Sequence, residues 1–137
     1  MRFGSPAWLA AVVAALGEQP GLPEALRGLA PTAALVVEPG PGFPRALLVW
    51  GRHAGGRIAE ARPLHDEDEL LELEPAYVVR APYAVWRALW EGEDPVRAAL
   101  TGRVKVRGDL EALIRKAHHR PLVEAVRAAV PTEFEEA

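Results

Sequence analysis

Apolar positions near the start of the chain recur at helical spacing. Trp8, Val12 and Leu16 stand at i, i+4 and i+8, with Leu9 and Val13 beside them. That stripe predicts an amphipathic helix with one face in a core. Ser5 suits its N-cap, Pro6 its first helical position and Gly17 its stop. A second short helix is expected to begin near Pro23 and to end by Gly28. The period then changes. Ala33 to Val37 is a short continuous apolar run, as in a buried strand. Pro39-Gly40-Pro41-Gly42 breaks it, and Arg45 to Arg52, with Leu47, Leu48, Val49 and Trp50, predicts a second strand. His53-Ala54-Gly55-Gly56 reads as a hairpin turn because glycine accepts positive φ. Arg57 to Arg62, with Ile58 its main apolar residue, is the expected returning strand.

The second half continues in alternation. The acidic stretch from His65 to Glu69 is expected to be a solvated connection. Ala76 to Ala81 predicts a fourth strand. Pro82 opens a helix carrying Val85, Trp86, Leu89 and Trp90, and Gly92 closes it. Asp94-Pro95 is a cap followed by a first-turn proline, and Gly102 ends that short helix. Arg103-Val104-Lys105-Val106-Arg107 alternates strictly, as a half-exposed strand does. Gly108-Asp109 turns the chain into a last long helix, which Pro121 interrupts and can restart and Pro131 stops. No internal repeat or long linker divides the sequence, so one domain over residues 1–137 is expected.

Composition narrows the function classes. Net charge is −3, with 16 basic against 19 acidic residues, so the overall balance carries no nucleic-acid footprint. There is no cysteine, which excludes a disulfide framework, a thiolate nucleophile and a Cys-based metal site. Ser5 is the only serine and is already explained as a cap. No Glu or His spacing pairs convincingly for acid–base work, so neither an enzyme nor a cofactor is expected. His118-His119 are adjacent, so their rings diverge on a helix and no metal site is expected there. No stretch approaches the ~20 apolar residues of a membrane span, and a cytoplasmic location is expected. Arginine dominance, the absence of asparagine, a single glutamine and 13 prolines suggest a thermophilic or high-GC source.

One segment carries a distinctive pattern: Gly92, Asp94-Pro95, Ala98-Ala99-Leu100, then Gly102-Arg103-Val104-Lys105-Val106-Arg107-Gly108-Asp109. Leu110, Leu113 and Ile114 follow on an apolar helix face, and Phe3, Ser5 and Trp8 stand near the chain start. This resembles the sterol carrier protein 2 family, with Arg103 replacing the usual lysine. The resemblance implies an α+β fold: a five-stranded, mixed, twisted sheet with helices packed on one face. It also implies an apolar tunnel between sheet and helices for fatty acids, acyl-CoA, sterols or isoprenoid-like lipids.

A lipid site needs apolar walls and a few orienting polar groups rather than a catalytic group. Arg80 is expected to face solvent, which puts Tyr77 and Val79 on the opposite face of their strand. Lys105 likewise turns Val104 and Val106 inward. Trp86, Leu89 and Trp90 share one helix face, and Leu110, Leu113, Ile114 and Ala117 another. These residues, with Trp50, are the expected ligand-binding set. The alternative is that they fill an ordinary core, and that the domain is an interaction module assisting an enzyme of lipid or quinone metabolism. Arg103, Lys105 and Arg107 form a basic strip that suits either a lipid headgroup or a charge-protected edge strand. Transient membrane contact and self-association stay open at this point.

Overall fold

The computed structural model describes residues 1–116 and 119–135. In chain order its elements are α1 (Pro6–Gly17), α2 (Leu22–Leu26), β1 (Thr32–Glu38), β2 (Leu47–Ala54), β3 (Arg57–Leu64) and α3 (Glu67–Leu73). These are followed by β4 (Tyr77–Pro82), α4 (Tyr83–Trp90), α5 (Pro95–Leu100), β5 (Lys105–Arg107), α6 (Leu110–Ile114) and α7 (Arg120–Ala129). The two expected caps form, at Ser5 and Asp94, and Asp109 adds another. Ser5 accepts from the Trp8 amide at 3.1 Å, Asp94 from Val96 at 2.9 Å and Asp109 from Ala112 at 3.1 Å. Each such cap stabilises its helix by about 1 kcal/mol.

The five strands form one mixed sheet in the order β3-β2-β1-β4-β5. β1, β2 and β3 make an antiparallel meander, β4 runs parallel to β1, and β5 returns antiparallel to β4. In the hairpin, Ala54 faces Arg57, with Gly55 at φ 61° and Gly56 at φ 77°. Two consecutive positive φ angles are what a type I′ turn requires.

Strand alternation divides the apolar residues between two faces. Ala34, Val36, Leu48, Trp50, Leu64 and Val78 meet Leu70 and Leu73 of α3. On the other face, Val37 joins a cluster built from α1, α4 and α7, including Trp8, Ala15, Tyr83, Val126 and Val130. Next to that cluster, Ala81 packs with Ala98 and Val104. The aromatic end of the first cluster is closed by Phe3, which stacks on Phe134 at 5.1 Å, and by Phe43, which stacks on Tyr83 at 4.7 Å.

Three sequence expectations need correction. The acidic stretch after His65 is the start of α3 rather than a solvated connection. Asp66 caps Glu69 at 3.0 Å, and Glu69 reaches back to the His65 amide at 2.9 Å. Leu70 of that helix is buried. Helices therefore do not all lie on one face: α3 covers the face opposite the others. Finally, the expected interruption of the last helical region falls before Pro121 rather than at it. α6 ends at Ile114, and α7 starts at Arg120 with Pro121 in its first turn, where the missing N–H costs no intrahelical bond.

Candidate functional site

A strongly apolar hollow, here termed the main cavity, lies between the sheet and helices α2, α5, α6 and α7. Its sheet wall is Val79 and Val106, with Val104 at the entrance to β5 and Ile58 from β3. α2 contributes Leu22, Ala25 and Leu26, α5 contributes Val96 and Ala99, and α6 contributes Leu110, Leu113 and Ile114. Leu122 and Val123 of α7 complete the wall. The cavity is about 430 Å³, within the ~300–1,000 Å³ of typical small-molecule sites.

The lining side chains that carry polar ends are Lys116, His119 and Arg120, of which Lys116 and Arg120 reach solvent at the rim while His119 Nε2 is buried. Lys116 Nζ donates to the Glu24 carbonyl at 3.2 Å, which ties the end of α6 to α2. Arg120 donates to the Gly92 carbonyl at 2.9 Å, which ties α7 to the turn between α4 and α5. Both bonds are solvent-exposed, so each adds little to stability. Beyond Arg120 a smaller hollow of about 210 Å³ opens, lined by Trp86, Leu89 and Trp90. Pro95, Arg120 and Val123 line both spaces. Arg120 thus borders both spaces, and its bond to Gly92 lies on the side of the smaller one.

The sheet beneath is incompletely covered. Leu35 sits in the central strand on the cavity face, the one opposite α3, yet is 42% exposed. A leucine in the middle of a sheet is normally sealed. Val49 and Val79, its partners on the two neighbouring strands, are only half-buried.

The expected binding residues divide into groups. Val79, Val104, Val106, Leu110, Leu113 and Ile114 come together around the main cavity. Trp86, Leu89 and Trp90 line the adjoining chamber. Trp86 also donates its indole N–H to the Val36 carbonyl at 2.9 Å, which anchors α4 on β1. Tyr77 is buried on the cavity face, but its hydroxyl accepts from the Ala30 amide at 3.1 Å, an architectural contact. Trp50 is on the opposite face with Leu48, under α3, so it does not line the cavity. Its ring lies beneath the Arg62 guanidinium at 5.6 Å, and its Nε1 finds no hydrogen-bond partner among the described residues. Ala117 lies outside the described residues. The α2 and α5 walls were missed because each of these helices is too short to show a period.

Electrostatics single out one pair. Arg80 lies on the face opposite Val79 and makes two solvent-exposed hydrogen bonds to Glu67 of α3, at 2.7 and 3.0 Å. Those bonds, assisted by the guanidinium charge and opposed by burial, hold the Glu67 carboxyl below the ordinary carboxylate range and raise Arg80. Among the described residues, no group of three or more His, Cys, Asp or Glu side chains converges as a metal site, and no helix is long and apolar enough to cross a membrane.

An open mixed sheet with an apolar cavity under a helical layer defines a class of α+β fold, and solved structures specify which. The chain has the fold of sterol carrier protein 2. A crystal structure of sterol carrier protein 2 superposes with a TM-score of 0.72 at 24% identity, over 92% of this chain and 98% of that one. The solution structure of a conserved hypothetical protein from Thermus thermophilus, described as possibly a sterol carrier protein, gives a TM-score of 0.72 at 24% identity, covering 95% of this chain and 91% of its own. Sterol carrier protein 2 from Yarrowia lipolytica, in its apo form, gives 0.58 at 10% identity, with coverages of 90% and 91%. No family model and no curated protein sequence matches the chain.

Proposed function

We propose that this protein binds long-chain lipids, without catalysis, in the cavity between the sheet and helices α2, α5, α6 and α7, and passes them between compartments or enzymes. The observation that carries the reading is an apolar hollow of about 430 Å³ whose walls come from several separate elements and are apolar side chains apart from Lys116, His119 and Arg120. Burying one methylene is worth ~0.8 kcal/mol, so a dozen carbons gain roughly 10 kcal/mol before ordering costs. Shape fit can be loose and binding still useful. The similarity to sterol carrier protein 2 structures supports the same reading, as does the second chamber beyond Arg120. The fatty acid, acyl-CoA and isoprenoid classes fit the apolar walls, and a location in the cytoplasm suits such a carrier.

The weak ties at the rim suggest how a ligand enters. α7 carries Leu122 and Val123 on the cavity side and is held to the α4–α5 turn through Arg120. Releasing that bond lets the first turn of α7 move while Val126 and Val130 keep its far end in the core.

The test is native mass spectrometry of the purified protein with lipid extraction, followed by titration with a fluorescent long-chain fatty acid. Saturable one-to-one binding at micromolar concentration is expected. Failure of every long-chain lipid to saturate a site refutes the reading and leaves an interaction module in its place.

A further inference from the structure

The three-residue edge strand β5 stands between two hollows. On its helix side is the apolar cavity. On its other side, between β5 and α3, is a cleft of about 640 Å³. Leu70, Leu71 and Pro75 supply its apolar part, and Arg80, Lys105 and Arg107 supply cations. Val106 lines both hollows. The sheet ends at β5, so at Val106 this edge strand is what lies between the two hollows.

The cations are gathered by register. Arg80 pairs with Lys105 and Val78 with Arg107 across the β4–β5 ladder, which turns all three basic side chains to one face. Lys105 and Arg107 lie about 7 Å apart along that strand. Arg80 is committed to Glu67. Lys105 and Arg107 are exposed and have no ion-pair partner among the described residues. The acids in the cleft are Glu67, which Arg80 neutralises, and Glu74. Arg103, the third cation of the sequence strip, is drawn away into an ion pair with Glu93. Glu74 forms no ion pair with Lys105 or Arg107 among the described residues, and two adjacent like charges repel, a cost that an anion between them relieves. A phosphate group, with roughly two charges and three acceptor oxygens, satisfies both cations where a carboxylate satisfies one.

We infer that this cleft holds the phosphate or diphosphate head of a ligand whose apolar tail occupies the cavity, the molecule crossing the sheet edge beside Val106. The inference rests on the lipid-cavity reading above and narrows it to a class: an apolar chain ending in a phosphate ester.

Three probes with one tail test it by calorimetry at low salt: dodecanol, dodecanoate and dodecyl phosphate. Dodecyl phosphate is expected to bind about tenfold or more tighter than dodecanol, as charge-assisted hydrogen bonds allow. Lys105→Gln with Arg107→Gln should remove that gap and leave dodecanol affinity within about twofold, the apolar walls being unchanged. Equal affinities in the native protein, or a gap that survives the double variant, overturn the inference. Inorganic pyrophosphate provides an arm independent of the tail, read by amide chemical shifts. Saturable shifts at Lys105, Val106 and Arg107 support the anion cleft even if no dodecyl probe binds, an outcome that refutes only the cavity reading. Shifts confined to Lys116 and Arg120, or none, overturn the cleft.

Discussion

Replacing Ala99 with phenylalanine separates a true cavity from a filled core, because the two readings give opposite signs. Ala99 lines the main cavity from α5, beside the fully buried Ala98. A benzyl group built there projects into the 430 Å³ space. If the space is open, the ring is buried without displacing neighbours, and apolar burial stabilises the fold by up to about 2 kcal/mol. If the walls close on one another in solution, the ring overpacks them and costs about 1–3 kcal/mol. Binding responds in the other direction. Excluding roughly four chain carbons at ~0.8 kcal/mol each removes about 3 kcal/mol of affinity, or on the order of 100-fold. Urea unfolding gives the first quantity, and titration with a fluorescent fatty acid the second. A variant less stable than the native protein by about 1 kcal/mol or more, or one that binds lipid with native affinity, refutes the cavity assignment.

Four further outcomes follow from the same structure. Gly108→Ala should lower the urea midpoint sharply: φ is 110° there, and an added Cβ would lie 2.4 Å from the Ala76 carbonyl oxygen. A loss within the ordinary range of about ±0.5 kcal/mol for surface changes would contradict this strain. Amides of α7 should exchange faster than those of α1 in the empty protein and slow when lipid is added, and equal, unchanged protection would exclude movement at the start of α7. Lipid should quench emission from Trp86 and Trp90 but not from Trp50, which single Trp→Phe variants resolve, since Trp50 is under α3. Finally, Glu67 has a folded pKa lowered by Arg80, so its stabilising effect is fully present above the ordinary value of about 4.3 and is lost as pH falls through the lowered one. The protection of the Leu70 amide, taken relative to its intrinsic exchange rate at each pH, should therefore fall only in acid, and Glu67→Gln should abolish that loss of protection.

Much of this was legible in the sequence because local chemistry and global fold agree. Ser5, Asp94 and Asp109 cap the helices they precede, and the paired glycines at 55 and 56 make the predicted turn. The Val104–Val106 alternation did mark the cavity side of β5. α3 was obscured by its charge. Four acids in a row outweigh Leu70 and Leu73 as a pattern, and its stop is Glu74 at φ 45°, where a glycine would have signalled the end. The available cue was Asp66 followed three residues later by Glu69, a variant of the capping box. Trp50 was misplaced for a related reason. Alternation says that Leu48 and Trp50 share a face, but both faces of β2 are covered, so nothing local tells which one meets the cavity.

The strand order also fixes how the molecule must assemble. β1, β2 and β3 are neighbours in sequence and can pair through short connections, whereas the amide of Ala76 finds Thr32 across a separation of 44 residues at the start of the parallel β1–β4 pair. Closing so long a loop is entropically late and slow compared with the meander. Val79 and Val106 enter the cavity only after that step, and the walls from α5, α6 and α7 come later still along the chain. A nascent or half-folded chain therefore presents the meander without a pocket, and ligand capture becomes a sign that the parallel pair has closed.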